Sequence, residues 1–296
     1  MIIKKATPED REHIYKIWNI CFTDDETYIN NYLDHCFPET TTWLLGENRD
    51  EFCSVLSIIP SFFIENGERI NGGYLYGVGT LPTHRGKSYS KFLMNHAVEA
   101  VKNEGLSYIL VKPAEESLFQ LYKKSGFDKE IYSFFAVLNH KGNQKPVPEH
   151  MLERITFEDF KVFRETNMAD LLYLWPEKVL KYAWDEIMLR EGIAMKRSGK
   201  ENYFIGYPSI FDGKESFSIL ESNINSAINL EDFAIIQNLL FSKTNTITIE
   251  TPLLFSESAN QNGSGQQIKR LSALFMELEN GTWDKANNRL LSLPME

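Results

Sequence analysis

The sequence predicts an α/β protein of the mixed, α+β kind, laid out as two consecutive units. Helix-period and strand-period segments alternate along the chain, the pattern of helices packed on a sheet. One alternation is a strand, a tight basic turn, a helix and a second strand. That order suits two parallel strands joined by a crossover helix. Size is the third observation: 296 residues exceed the usual single domain, and 43% hydrophobic with 13% aromatic residues is ample for packed cores.

Taken in order, Thr7-Pro8-Glu9-Asp10 has the form of a helix start, with Thr7 as N-cap and Pro8 in the first turn. Ile14, Ile17, Trp18, Cys21 and Phe22 then make the apolar stripe of that helix. A second helix is expected from Glu26 to Cys36. Strands follow at Thr41 to Leu45 and at Phe52 to Ile64, the latter interrupted by Pro60. Asn66-Gly67 is a hairpin signal, after which Arg69 to Thr80 runs back. From Ser88 to Lys102, Leu93, Met94, Ala97, Val98 and Val101 share one helical face, and Gly105 stands where a C′ glycine belongs. Tyr108 to Val111 reads as a buried strand, Ser117 to Lys124 as a short helix and Ile131 to Leu138 as a strand.

Residues 141–150 are polar, carry two prolines and read as a linker between a first unit at 1–140 and a second at 151–296. In the second unit, helices are expected at Phe157–Glu165, Glu177–Glu191 and Glu231–Phe241. Strands are expected at Tyr203–Tyr207, Phe217–Glu221 and Thr246–Glu250, and a low-complexity loop at Ser256 to Gln267. Trp175, Trp184, Tyr173 and Tyr182 fall in a helical stretch and read as core, with an amine cage between the units as the alternative. The second unit has no glycine-rich or basic turn, so no second cofactor site is expected.

A formal net charge of −10 argues against a nucleic-acid partner, which needs a basic face. Cys21, Cys36 and Cys53 form no CxxC pair and read as small core residues in a reducing compartment; no metal site is expected. Met1 to Lys5 run directly into polar residues, unlike a standard signal peptide, and no apolar run approaches the ~18 residues of a spanning helix. A cytoplasmic protein without a membrane partner is expected. Oligomerisation of like chains is left open.

The chemistry concentrates between Tyr76 and Phe127. Arg85-Gly86-Lys87-Ser88 first suggests the phosphate loop of nucleotide hydrolases, but the glycine that motif requires upstream is Leu81, followed by the stiff Pro82. A basic turn opening a helix still makes an anion site, because first-turn N–H groups point outward.

Arg85-Gly86-Lys87-Ser88-Tyr89-Ser90 resembles the cofactor signature of the Gcn5-related N-acetyltransferases (GNAT), Arg/Gln-x-x-Gly-x-Gly/Ala. It matches at the arginine and the spacing and departs at both glycines, which are Ser88 and Ser90. Tyr122-Lys123-Lys124-Ser125-Gly126-Phe127 resembles the same family's Tyr-x-x-x-Gly-Phe segment. Val78-Gly79-Thr80-Leu81-Pro82-Thr83-His84-Arg85 is similar to the strand-to-turn sequence of its enhanced-intracellular-survival (Eis-like) group. The resemblance implies a GNAT acyl-CoA N-acyltransferase fold followed by a degenerate GNAT-like second domain. After Pro252 there is room only for a remnant of that group's sterol-carrier-like domain.

The resemblance further implies transfer of an acetyl group from acetyl-CoA to a primary amine on a small molecule or peptide. Val78, Gly79 and Thr80 would polarise the thioester through their backbone, with Gly79 allowing close approach. Arg85, Gly86, Lys87, Ser88, Tyr89, Ser90 and Lys91 would hold the pyrophosphate, with Ser117 as a helix cap near the cofactor. Tyr122 would be the general acid, against the plain reading of a core tyrosine. The base would be the C-terminal carboxylate, Glu296, with Glu115, Glu116 or Asp24-Asp25-Glu26 as substitutes. A non-catalytic acyl-CoA-binding or regulatory protein on the same fold is the rival, motivated by Ser88 and Ser90. An aminoacyl-transferase using charged transfer RNA is disfavoured by the acidic balance.

Overall fold

The computed structural model describes residues 1–22, 24–48, 51–139, 151–170, 172–223, 239–240, 244–251, 267–287 and 289. The expected linker, most of the Glu231–Phe241 helix, nearly all of the loop from Ser256, and Glu296 lie outside the described residues.

The chain opens with β1 (Ile2–Lys5), followed by a 3-10 turn at Pro8–Asp10 and α1 (Arg11–Cys21). The Asp10 carboxylate accepts from the Thr7 N–H at 2.9 Å, closing the expected cap. Next is α2 (Glu26–Asn31), which passes into a π-helical turn at Tyr32–Cys36. Then come β2 (Thr41–Gly46), β3 (Phe52–Glu65) and β4 (Glu68–Thr80). Asn66 and Gly67, with φ of 52° and 80°, make the expected hairpin turn.

Pro60 does not interrupt β3. Alternate residues of a strand point their N–H groups to the same side. On β3, Ile58 faces the end of β2 at Thr41, and Phe62 pairs with Leu174 at 2.9 and 2.7 Å. Pro60 falls between those two partners, so its missing N–H costs the ladder nothing.

The first unit continues with α3 (Tyr89–Asn103), β5 (Tyr108–Val111), α4 (Glu116–Lys123) and β6 (Lys129–Asn139). The strands β4 and β5 are parallel, as the crossover required. The second half brings β7 (Leu152–Arg154), α5 (Phe157–Asn167), α6 (Glu177–Leu189), β8 (Ile193–Arg197), β9 (Tyr203–Phe211) and β10 (Lys214–Ser222). Its further described elements are β11 (Thr246–Thr251), β12 (Gln267–Glu277) and α7 (Thr282–Ala286). Sequence reasoning did not anticipate β1, β7, β8, β12 or α7. Three of these are short, and β8 and β12 mix charged with apolar residues.

The twelve strands among the described residues form one sheet, in the order β1-β2-β3-β4-β5-β12-β6-β11-β10-β9-β8-β7. That order is a repeat with exchanged ends. Each half supplies an antiparallel run of four strands, and its fourth strand pairs in parallel with its fifth: β4 with β5, β10 with β11. The sixth strand beside each is the other half's: β12 lies against β5, and β6 against β11. An antiparallel β12–β6 pair joins the two halves. The helix pair that follows β1, α1 and α2, has its counterpart after β7 in α5 and α6.

One core cluster joins α1, α2, α5 and α6 across both halves, with Trp18, Tyr32, Phe160, Tyr173, Trp175 and Tyr182 among its members. A second gathers α3 and α4 with the first unit's strands, including Leu93, Met94, Tyr122 and Phe127. Tyr173, Trp175, Tyr182 and Trp184 are all buried, as core residues should be, although Tyr173 and Trp175 precede α6 rather than lying on it.

Candidate functional site

The site begins where two parallel strands part. Pairing between β4 and β5 runs only from Gly72–Tyr108 to Tyr74–Leu110. Among the described residues, no strand pairs with the β5 side of β4 beyond Tyr74. The cause is local. In the β3–β4 register, Tyr76 faces Ser57 and Gly79 faces Val55, so Gly77 and Val78 together oppose Leu56. This is a β-bulge, which bends a strand and increases its twist. Gly77 has φ of 58°, and a Cβ there would lie 2.6 Å from Trp18 Cζ2. Only glycine satisfies both conditions.

Past the bulge, the end of β4 is pinned from behind. The buried Ser54 hydroxyl donates to the Gly79 carbonyl at 2.8 Å and lies 2.8 Å from the Thr80 hydroxyl. Gly79 is buried, and its absent Cβ would meet Phe22 and Cys21 at 3.2 and 3.4 Å. The close approach that this glycine permits is that of the end of α1. Val78, on the opposite face, borders the cluster that contains Tyr122.

The basic turn follows as a 3-10 turn at Pro82–His84. Arg85 donates from Nε to the Thr80 carbonyl at 3.2 Å and remains exposed, holding the turn against the strand. Gly86 has φ of 79° with nothing near its missing Cβ, so it presents bare backbone. Ser88 is the N-cap of α3 and sits in the left-handed region at φ 61°, ψ 21°. The first signature position thus keeps a glycine-like angle with a serine. Ser90 lies within the first helical turn and has no positive φ. No side chain caps this helix start and no acidic residue occupies its first turn. The N–H groups of Tyr89, Ser90 and Lys91 therefore suit an anion.

The turn already has an anionic neighbour that sequence reasoning missed. Glu47, in the β2–β3 connection, accepts from Lys87 Nζ at 2.8 Å and from the Tyr89 hydroxyl at 3.0 Å. His84 Nε2 lies 3.9 Å away. The hydrogen bond from Lys87, then that from Tyr89, holds the Glu47 carboxyl below its usual range. A lone glutamate before a turn carries no sequence signal.

Tyr122 comes from α4 and is 7% exposed. Gly126, at φ 99°, turns the chain so that Phe127 folds back edge-on against it, with ring centroids 5.9 Å apart. The Gly-Phe pair thus fixes the phenol's place. Burial pushes Tyr122 up to about 12, so at neutral pH it holds its proton. Ser117 does not cap this helix. The N-cap is Glu115, and the exposed Ser117 hydroxyl reaches the Glu115 carboxylate at 3.3 Å. Glu116 is exposed beside it. Asp25 caps α2 through the Tyr28 N–H at 2.8 Å, and only Asp24 of its acidic run is half-buried.

Behind the bulge lies an aromatic wall. Trp18 stacks on Tyr32 at 4.1 Å and meets Tyr76 edge-on at 5.5 Å, while Trp175 lies 5.5 Å from Tyr74. Among the described residues, the buried Trp18 indole nitrogen has no hydrogen-bond partner. Tyr74 and Tyr76 alternate on β4, which was the legible signal for this wall. A groove of about 500 Å³ opens between the turns that follow α2 and the starts of α5 and α6, with Asp34, Glu39, Phe157, Glu177, Lys178 and Tyr182 among its lining residues. It contains no residue of the basic turn.

Among the described residues no group of three or more histidine, cysteine or acidic side chains could hold a metal ion. No described helix is long and apolar enough to cross a membrane. Cys36 and Cys53 are buried, and Cys21 is partly so.

A family model of the acetyltransferase (GNAT) domain matches residues 2–129. No curated protein matches the chain. A conserved Enterococcus faecalis V583 protein, described as a probable N-acyltransferase, aligns with a TM-score of 0.75 at 14% identity, over 95% of this chain and 73% of its own. A GCN5-related N-acetyltransferase from Anabaena variabilis ATCC 29413 aligns at 0.70 and 15% identity, over 94% and 73%. Eis1 from Mycobacterium abscessus aligns at 0.63 and 11% identity, over 94% and 74%. At these identities the likeness is one of fold. It runs through both halves, so the Eis-like expectation holds for the architecture of the whole chain.

Proposed function

We propose that the chain, whose residues 2–129 match a family model of the acetyltransferase (GNAT) domain, transfers acetyl from acetyl-CoA to a primary amine. The observation that carries the reading is the cleft between β4 and β5, with the start of α3 at one end and Tyr122 beside its wall. The residues present suit the donor. The uncapped start of α3, exposed Arg85 and Lys91, and bare backbone at Gly86 fit a pyrophosphate. The unpaired side of Val78, Gly79 and Thr80 fits an extended amide-bearing arm.

When bound, acetyl-CoA supplies an activated acyl thioester. The backbone N–H groups past the bulge would polarise its carbonyl, an oxyanion-type contribution of roughly 3–4 kcal/mol per donor. Tyr122, protonated at rest, would give its proton to the departing thiolate. Ser117 and the acidic residues Glu115 and Glu116 lie exposed at the head of α4, where solvent serves them equally well.

The test is release of free coenzyme A across a panel of amines. Tyr122→Phe is expected to keep acetyl-CoA affinity and lower turnover at least about tenfold. Unchanged turnover removes Tyr122 from the chemistry. Binding without release on any amine would favour the non-catalytic acyl-CoA-binding reading.

A further inference from the structure

The basic turn carries more polar partners than one anion needs. Arg85, Lys91 and the uncapped N–H groups of α3 make the place assigned above to the pyrophosphate. Lys87 and His84 belong to a second set, and Tyr89 belongs to both through different atoms. Lys87 Nζ, the Tyr89 hydroxyl and His84 Nε2 converge on one oxygen, Glu47 Oε1, at 2.8, 3.0 and 3.9 Å.

These three groups form a unit without Glu47. The His84 ring stacks on that of Tyr89 at 6.3 Å, and its Nδ1 lies 2.9 Å from the Thr83 hydroxyl. The Lys87 ammonium lies 5.6 Å from the centre of the Tyr89 ring. All three come from the turn and the first residue of α3, whereas Glu47 follows β2 on another connection. The Glu47 side chain is 52% exposed, so it can turn out to water while its partners stay. Exposed ion pairs of this kind add little to stability, so the fold loses little when Glu47 leaves.

Two anion places therefore lie side by side. They are no farther apart than the length of one tyrosine, since the Tyr89 N–H serves one and its hydroxyl the other. Coenzyme A has that layout, a pyrophosphate and a 3′-phosphate joined through one ribose. The 3′-phosphate is a monoester with nearly two negative charges at neutral pH. It gains more than a carboxylate does from a lysine, a phenol and an imidazole.

We infer that Lys87, Tyr89 and His84 form a subsite for the 3′-phosphate of the donor, with the Glu47 carboxylate occupying that place until the donor arrives. This deepens the acyl-transfer reading above and rests on it. The phosphate displaces Glu47 into solvent and takes over its partners. The donor class follows: thioesters of coenzyme A itself, in preference to acyl groups on a phosphopantetheine arm, which has no 3′-phosphate.

Calorimetry on the full chain tests this by comparing acetyl-CoA with acetyl-dephospho-CoA, which lacks only the 3′-phosphate. Wild type is expected to bind acetyl-CoA at least about fivefold more tightly. Lys87→Met should cut that preference below about twofold by weakening acetyl-CoA alone. Glu47→Gln should tighten acetyl-CoA a few-fold and leave acetyl-dephospho-CoA within about twofold. Arg85→Gln, at the pyrophosphate, should weaken both donors and keep the preference. Equal wild-type affinity for the two donors would overturn the inference. So would Lys87→Met or Glu47→Gln that moves both donors by the same factor or neither, or an Arg85→Gln loss confined to acetyl-CoA. Wild-type protein that binds neither donor would instead sink the acyl-transfer reading itself.

Discussion

Ser88 holds the left-handed angle at which a signature glycine would stand, at φ 61°. A serine in that region costs about 1 kcal/mol of backbone strain, which glycine removes while adding comparable chain entropy. Ser88→Gly should therefore leave acetyl-CoA affinity within about threefold. Ser88→Val, β-branched where φ is positive, should weaken it at least about tenfold, as calorimetry would report. Glu47 pulls in the opposite sense. Its carboxylate engages Lys87 and Tyr89 at the same turn, so a phosphate must share or displace it. Glu47→Gln is expected to tighten coenzyme A binding a few-fold, and weaker binding would make Glu47 a support for the turn instead. The motif residues were legible because fixed spacing marks them. Glu47 was not, since it reaches the turn from a distant part of the chain.

At the scale of elements, the bulge decides the site. A Cβ at Gly77 meets Trp18 and must also adopt φ of 58°. Gly77→Ala should cost about 2 kcal/mol or more in denaturant unfolding. A loss below about 0.5 kcal/mol would mean that β4 and α1 can separate there at little cost. Sequence patterning located β3, β4, β5 and α3 to within a residue or two, because each carries a clear period and a turn signal at its end. It failed at Pro60, whose tolerance depends on where the neighbouring strand stops. It failed again at Ser117, where Glu115 takes the cap. Short β1 and β7 owe their pairing to partners far along the chain, and a local window holds no trace of such partners.

For the whole molecule, the exchange of β6 and β12 is the governing feature. Element order gave the first unit's parallel pair and the α/β character of the second, but long-range strand order has no local signature. We propose that residues 1–140 carry the donor site and 151–296 the second unit. Because β12 covers β5 and pairs with β6, the first segment alone leaves a long sheet edge open. Expressed alone, residues 1–140 should aggregate, and co-expression with 141–296 should recover soluble protein. A monomeric, cooperatively unfolding 1–140 would show the exchange to be dispensable. The central claim is that the turn at Arg85–Lys91 binds acetyl-CoA beside the opened end of β4. Calorimetric titration of acetyl-CoA into the full chain tests it most directly: the account predicts one saturable site per chain, weakened at least about tenfold by Arg85→Glu, and a titration without heat, or one indifferent to that substitution, would contradict it.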